Sequence, residues 1–396
     1  VIPNKPGDKS PIEHVVYIIK ENRTYDQVLG DIGIGNSDPS LTLFGEKYSP
    51  NHHKLAREFV LLDNFYVNSD VSADGHNWST AAIAPDYVQR MWPNSYGGRR
   101  KKYDYEGGEP AAIPPAGYLW TNAQAMGIGM RNYGFWTETL PQRSPQGVWV
   151  ARVKDPVLAR ITNMKFPGFQ LDIQDIERAR IYLEDLAEFE KTNSMPKLTL
   201  LRIGNDHTSG TSPGKYTPLA AMADNDLALG MIVEALSKSK FWGRTAIFVV
   251  EDDAQNGSDH VDSHRSPAFV LSPYTKRAVV DSSFYNQTSV LRTMELILGL
   301  KPMTQFDAAA RPMVSVFGTE ANLSPYTSEK ARIDLNERNP QKSATAARSM
   351  HMDFSREDAI DDDELNEILW KAIRGGEPPA PVRSYFPGVP RAVGPR

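Results

Sequence analysis

The sequence predicts an α/β fold: a mostly parallel central sheet with helices on both faces. Two observations carry this. Short apolar runs rich in β-branched residues alternate along the chain with amphipathic stretches of helical length. The composition, 40% hydrophobic and 23% charged over 396 residues, suits a globular core rather than a disordered chain.

The first run, 13–20, is too short for a helix. It is bounded by Pro11 and by the polar Glu21-Asn22-Arg23, so it reads as a buried strand. Similar runs lie at 59–66, 128–136, 198–203, 245–250 and 267–271. Between them, 176–189 follows Asp175 as an N-cap, 218–236 has apolar residues at helical spacing, and 289–298 ends at Gly299. Strands alternating with helices argue for parallel pairing covered on both faces. No internal repeat is present.

The interval 93–167 differs in composition. Tyr96-Gly97-Gly98, the basic run 99–102 and a Pro-rich stretch at 110–115 mark loops, and we read an insertion or a lid over a site. The basic run reads as a solvated loop. Beyond Asp307 the chain turns polar, carries a late helix near Asp362–Ile373 and ends Pro-rich. Residues 1–312 are therefore expected to form one domain, with 313–396 an extension packing on it or trailing from it.

Several classes are excluded early. The absence of cysteine removes disulfides, thiolate metal sites and cysteine nucleophiles, and fits an extracytoplasmic (periplasmic or secreted) location. A net charge of −5 argues against a bulk electrostatic grip on nucleic acid. No segment approaches the roughly 18 apolar residues of a membrane span. Gly127-Ile128-Gly129 lacks the third glycine of a dinucleotide loop, and no Walker A run exists, so nucleotide cofactors are not expected. The chain opens Val1-Ile2-Pro3, which reads as a terminus cut by processing or by design.

In an open α/β sheet, ligands gather at the carboxyl ends of the strands. After the first strand come Glu21 and Asn22. After 59–66 come Ser72, Asp74, His76 and Asn77. After 198–203 come Asn205, Asp206 and His207, and after 245–250 come Glu251-Asp252-Asp253 and then Asp259, His260, Asp262 and His264. Carboxylates and imidazoles form the ligand set for Zn²⁺, Mn²⁺, Mg²⁺ or Ca²⁺. Three consecutive acids after a buried strand repel one another, and a cation is the simplest compensation. Ser72 precedes a predicted helix, whose N-terminal N–H groups would serve an attacking hydroxyl and the phosphate it receives.

The order and spacing of these pieces resembles the bacterial phosphoesterase family of phospholipase C and acid phosphatase enzymes, a branch of the alkaline phosphatase superfamily. Glu21-Asn22-Arg23-Thr24-Tyr25-Asp26 is similar to the family's Glu-Asn-Arg-Ser-Phe-Asp, and Asn205-Asp206-His207 to its Asn-Asp-His. Glu251-Asp252-Asp253 with Asp259-His260-Val261 is similar to its acidic turn and Asp-His-Val. The resemblance implies an alkaline phosphatase-like fold and metal-dependent hydrolysis of small-molecule or lipid phosphate esters. It also implies a hydroxyl nucleophile and a phosphoenzyme intermediate, with one or two divalent ions as cofactor. It assigns Glu21, Asn22, Asp252 and Asp253 to metal beside the nucleophile, and His207 to phosphate or a second cation. Asp206 and His264 would serve that second cation, with His260 competing for the role of His264.

The departures lie at the nucleophile. The family usually has Thr or Ser, two residues, then Asn; here Asp74 stands at that distance from Asn77, and Ser72 lies two positions earlier. Ser72 is the first candidate, Ser79 and Thr80 are alternatives, and attack by metal-bound water stays open. A phosphonate or sulfate ester hydrolase is a competing reading, although Ser72-Ala73-Asp74-Gly75-His76 lacks the Cys/Ser-X-Pro/Ala-X-Arg context of superfamily sulfatases. A non-catalytic cation-binding or interaction module on the same fold is the other.

Overall fold

A computed structural model describes residues 1–99 and 103–379. Five strands form the central sheet in the order Met130–Tyr133, Leu198–Arg202, His14–Lys20, Thr245–Glu251, Phe269–Leu271. The first four run parallel and Phe269–Leu271 is antiparallel to its neighbour. In the middle strand Val16 faces Thr199 on one side and Ile247 on the other, and Lys20 stands opposite Glu251. Four strand ends therefore open on one edge, where Glu21, Ile203 and Asp252 begin the loops.

Alternation along each strand feeds two cores. Val16, Ile18, Leu201, Ile247 and Val249 pack in one buried cluster with residues of helices Asp175–Thr192 and Pro218–Lys238. Val15, Tyr17, Ile19, Leu200, Phe248 and Val250 pack in the other, against Val290, Leu291 and Met294 of helix Gln287–Leu298. This double coverage is why the first strand has no polar face. Gly299 closes that helix at φ 73°, the left-handed conformation that glycine adopts without cost.

Three details differ from the sequence reading. The run 59–66 is broken by a turn at Asp63-Asn64. Its halves, Val60–Leu62 and Phe65–Tyr66, pair with Val279–Asp281 and Tyr285–Asn286 in separate two-stranded sheets. Asp175 is the first residue of its helix rather than the cap. Its carboxylate accepts instead from the Asn205 N–H (2.8 Å) and from Asn225 Nδ2 (2.9 Å), tying the helix to the loop that carries Asp206. The interval 93–167 is more than loop: it supplies the edge strand Met130–Tyr133 and buries Tyr118, Trp120, Phe135 and Trp136 in the second core. The strand, Phe135 and Trp136 fall in the run 128–136 expected as a strand, whereas Tyr118 and Trp120 lie among Gly and Pro, where no periodic signal announces them.

The chain after 312 also joins the body. Helix Asp362–Ile373, capped by Asp361 on the Glu364 N–H, buries Leu365, Leu369 and Trp370 in the first core. Of the basic run 99–102 only Arg99 is among the described residues, and the Pro-rich end beyond 379 lies outside them. No helix among the described residues is long and apolar enough to cross a membrane.

Candidate active site

The helix Ser72–Ala81 places Ser72 at its first turn, against the loop that leaves strand Thr245–Glu251. Close approach depends on Gly75, since a Cβ there would lie 2.5 Å from the Asp252 carbonyl oxygen. Ser72 Oγ donates to Asp253 Oδ2 at 2.8 Å and lies 3.3 Å from the Asn22 amide. Asn22 holds φ at 66°, a left-handed conformation that asparagine tolerates better than most residues, and this turns its amide into the same space. The inward-facing amide atom lies 2.9 Å from Asp252 Oδ1 and 3.3 Å from Asp253 Oδ2. Placed with oxygen inward, four oxygens from Asn22, Ser72, Asp252 and Asp253 face one another. Either the amide turns over and its nitrogen donates, or a cation sits among them. Asp252 and Asp253 are fully buried, and Asp252 Oδ2 has no hydrogen-bond partner. Burial, then the charge of Glu21, pushes the Asp252 pKa well above the usual carboxylate range. Burial, then Asp362 and Asp358, does the same to Asp253.

The third acid of the run is already neutralised. Lys20 Nζ lies 2.7 Å from Glu251 Oε1 and 2.7 Å from Asp206 Oδ2, all three buried. Strand register brings Lys20 beside Glu251, so this pair is a product of the sheet. Asp206 thus pairs with Lys20 and accepts from the Glu21 N–H (3.2 Å).

Next to the cluster, Glu21, His76 and Asp252 form a buried group able to hold an ion; His76 Nε2 stands 3.5 Å from both Glu21 Oε1 and Asp252 Oδ2. Arg202 reaches into this group. Its Nε and Nη2 lie 2.7 and 2.6 Å from Glu21 Oε1, and Nη2 is 2.9 Å from His76 Nε2. Arg202 also pairs with Glu357 of the C-terminal segment. Burial alone would raise the Glu21 pKa, but the Arg202 and His76 charges bring it down to about 2.

Two histidines expected at the metal are held elsewhere. His260 Nδ1 is 2.5 Å from Asp26 Oδ2, within a group of Asp26, Asp259 and His260 that could hold an ion. There Arg265 supplies the positive charge, 3.0 Å from Asp26 Oδ2 and from Asp259 Oδ1. His264 donates to Asp262 Oδ1 (2.7 Å) and to Asp70 Oδ1 (3.1 Å), and these two bonds lift its pKa to about 10. With a carboxylate at each nitrogen, the protonated ring is the favoured form of His264 in this arrangement. His264 lines a cavity of about 330 Å³ with Asp70, Val71, Trp92, Tyr96, Ala254 and Asp362. His207 is buried, its ring edge-on to Phe169 and its Nδ1 2.9 Å from the Thr208 carbonyl.

Ser79 and Thr80 are tied inside the helix. Their hydroxyls donate to the His76 carbonyl at 3.3 and 2.5 Å. The sequence reading placed His76 among the strand-end residues but gave it no role, although its i, i+4 relation to Ser72 puts both on one helix face. It missed Arg202, whose signal is a charge closing an apolar strand. Glu357 and Asp358 carry no local signal at all.

A model of the Phosphoesterase family matches residues 34–301, which include Ser72, Asp206, His207, Asp252 and Asp253. The chain belongs to this family. Among solved structures it is similar to a protein in the alkaline phosphatase superfamily from Vibrio parahaemolyticus. That match has 16% identity, covers 78% of this chain and 71% of that one, and has a TM-score of 0.51. It is also similar to YidJ from Bacteroides fragilis, with 14% identity, 81% of each chain covered and a TM-score of 0.50. These likenesses show the alkaline phosphatase-type fold. No curated protein matches in sequence. Family and fold together support a hydrolase acting on phosphate or sulfate esters.

Proposed function

We propose that this phosphoesterase hydrolyses phosphate esters by attack of Ser72, beside one divalent cation. The observation that carries the reading is the convergence of Ser72 Oγ, the Asn22 amide, Asp252 and Asp253 at the start of helix Ser72–Ala81. Buried carboxylates facing each other and a hydroxyl, with one oxygen unpartnered, fit a hard cation. Asn22, Asp252 and Asp253 would hold it, where it would acidify the Ser72 hydroxyl and polarise a phosphoryl oxygen.

The chain's own groups do the rest. Asp253 Oδ2 orients the Ser72 hydroxyl and gives its proton an acceptor. The Ser72 oxygen bonds to phosphorus as the ester P–O bond breaks, the leaving oxygen takes a proton, and water later cleaves the phosphoserine. Arg202, beside His76 and one helical turn from Ser72, brings a fixed positive charge to the same pocket. That charge does the work of a second cation, so we read one metal rather than two.

Turnover of p-nitrophenyl phosphate and p-nitrophenyl sulfate, in metal-stripped protein and after addition of Zn²⁺, Mn²⁺, Ca²⁺ or Mg²⁺, tests this. Metal-dependent hydrolysis of the phosphate is expected. Hydrolysis of the sulfate alone, or of neither, refutes the reading.

A further inference from the structure

The helix that carries Ser72 already has an anion on its N-terminus. Asp358, 286 residues away in sequence, accepts the Ser72 N–H on Oδ1 at 3.0 Å, and its Oδ2 accepts the Ala73 N–H at 2.7 Å. These N–H groups belong to the first turn, which the helix backbone leaves unpaired. A carboxylate bridging two of them has the charge and spacing of two phosphoryl oxygens. The residue before it, Glu357, pairs with Arg202. The two adjacent acids thus occupy both features through which the Ser72 pocket attracts an anion.

The segment is held by further contacts to the rest of the chain. The Gly97 N–H donates to the Asp358 carbonyl at 3.0 Å, Tyr96 Oη donates to Asp362 Oδ2 at 2.6 Å, and Gln255 Nε2 donates to Asp362 Oδ1 at 2.8 Å. Asp358 itself sits at φ 53°, in the left-handed region that few side chains adopt. Its carboxylate is therefore aimed by a backbone conformation that the flanking contacts impose.

We propose that the segment carrying Glu357 and Asp358 is an autoinhibitory strap. The paired acids fill the place of the substrate's phosphoryl group, and a phosphate ester binds only when they are displaced. The inference rests on the reading of Ser72 as the nucleophile.

The test uses the full chain with Mn²⁺ and inorganic phosphate as the probe. Asp358→Asn and Asp358→Gly both suit a left-handed residue, so thermal melting should report folded proteins. Calorimetry should show both variants binding phosphate about tenfold or more tighter than the wild type, because the bound state no longer competes with the strap. KM for p-nitrophenyl phosphate should fall in step. In the wild type, saturating phosphate should raise amide hydrogen exchange across residues 355–360, a readout that needs no variant. Phosphate affinity that is unchanged or weaker in a folded variant overturns the strap. So does wild-type binding without added exchange, or failure of phosphate to bind any form. A lower kcat at unchanged KM would make Asp358 a positioning group for Ser72 and overturns it too. Tighter phosphate binding in variants that turn over no ester would keep the strap and discard the esterase reading.

Discussion

Ser72 Oγ donates a 2.8 Å hydrogen bond to Asp253 Oδ2 across 181 residues of sequence. Asp253 follows a central strand and Ser72 opens a helix, and Gly75 lets the two backbones touch. A serine so placed has its hydroxyl at a helix start and an acidic partner. Ser79 donates back into its own helix. Ser72→Ala should therefore lower kcat by several orders of magnitude, on the order of 10³ or more, while Ser79→Ala stays within a few-fold. Quenched reactions with a labelled phosphomonoester, digested and mapped by mass spectrometry, should place phosphate on Ser72. Label on Ser79 or Thr80 would move the nucleophile.

Asp252 and Asp253 repel each other in the metal-free protein. Asp252→Asn should abolish most bound metal and activity while leaving the melting temperature of the metal-free protein unchanged or higher, since it removes one buried like charge. Metal content by atomic emission and a thermal melt check both halves. Full metal content in the variant would exclude Asp252 as a ligand.

Arg202 is 4% exposed and joins Glu21, His76 and Glu357. Replacing it with Met leaves Glu21 and Glu357 as uncompensated buried acids, at a cost of about 3–5 kcal/mol in urea unfolding. Glu21, held down to about 2 by the guanidinium and His76, then titrates at higher pH. A depressed carboxylate pKa contributes stability above its unfolded value and loses it as pH falls toward about 2. The wild-type advantage over Arg202→Met should accordingly shrink in acid. An advantage that grows below pH 4 would contradict this.

His264 behaves in the opposite sense. Its pKa is lifted to about 10 by hydrogen bonds to Asp262 and Asp70, so the folded state holds its proton more tightly than the unfolded chain does. That contribution is complete below the ordinary histidine value of about 6.5 and is lost as pH rises through about 10. The melting-temperature gap between wild type and His264→Gln should be widest near pH 5–6 and close toward pH 10. A gap independent of pH would show that His264 is neutral.

The parallel sheet was legible because strands covered on both faces are apolar throughout: His14–Lys20 and Thr245–Glu251 stand out from any neighbour. The helix end marked by Gly299 was legible because capping chemistry is local. Within the site, Glu21, Asn22, Ser72, Asp252 and Asp253 follow strands or open a helix, and topology delivers such positions to one edge. His260 and His264 share that address in sequence, yet each is claimed by carboxylates that only the folded loops bring near.

By itself, the sequence determined the α/β architecture, the strand-end acids and the family, since each depends on short-range pattern or on the order of motifs. Tertiary structure alone decided how the charges are shared. Which carboxylate meets Lys20, Arg202, Arg265 or the Ser72 helix depends on strand register and on where the chain after residue 312 returns. In a buried site the nearest opposite charge sets each group's protonation and availability. That is why Asp206 became a partner of Lys20, His264 came to lie between Asp70 and Asp262, and Glu357 and Asp358 of the C-terminal extension came to rest on Arg202 and on the helix that presents Ser72.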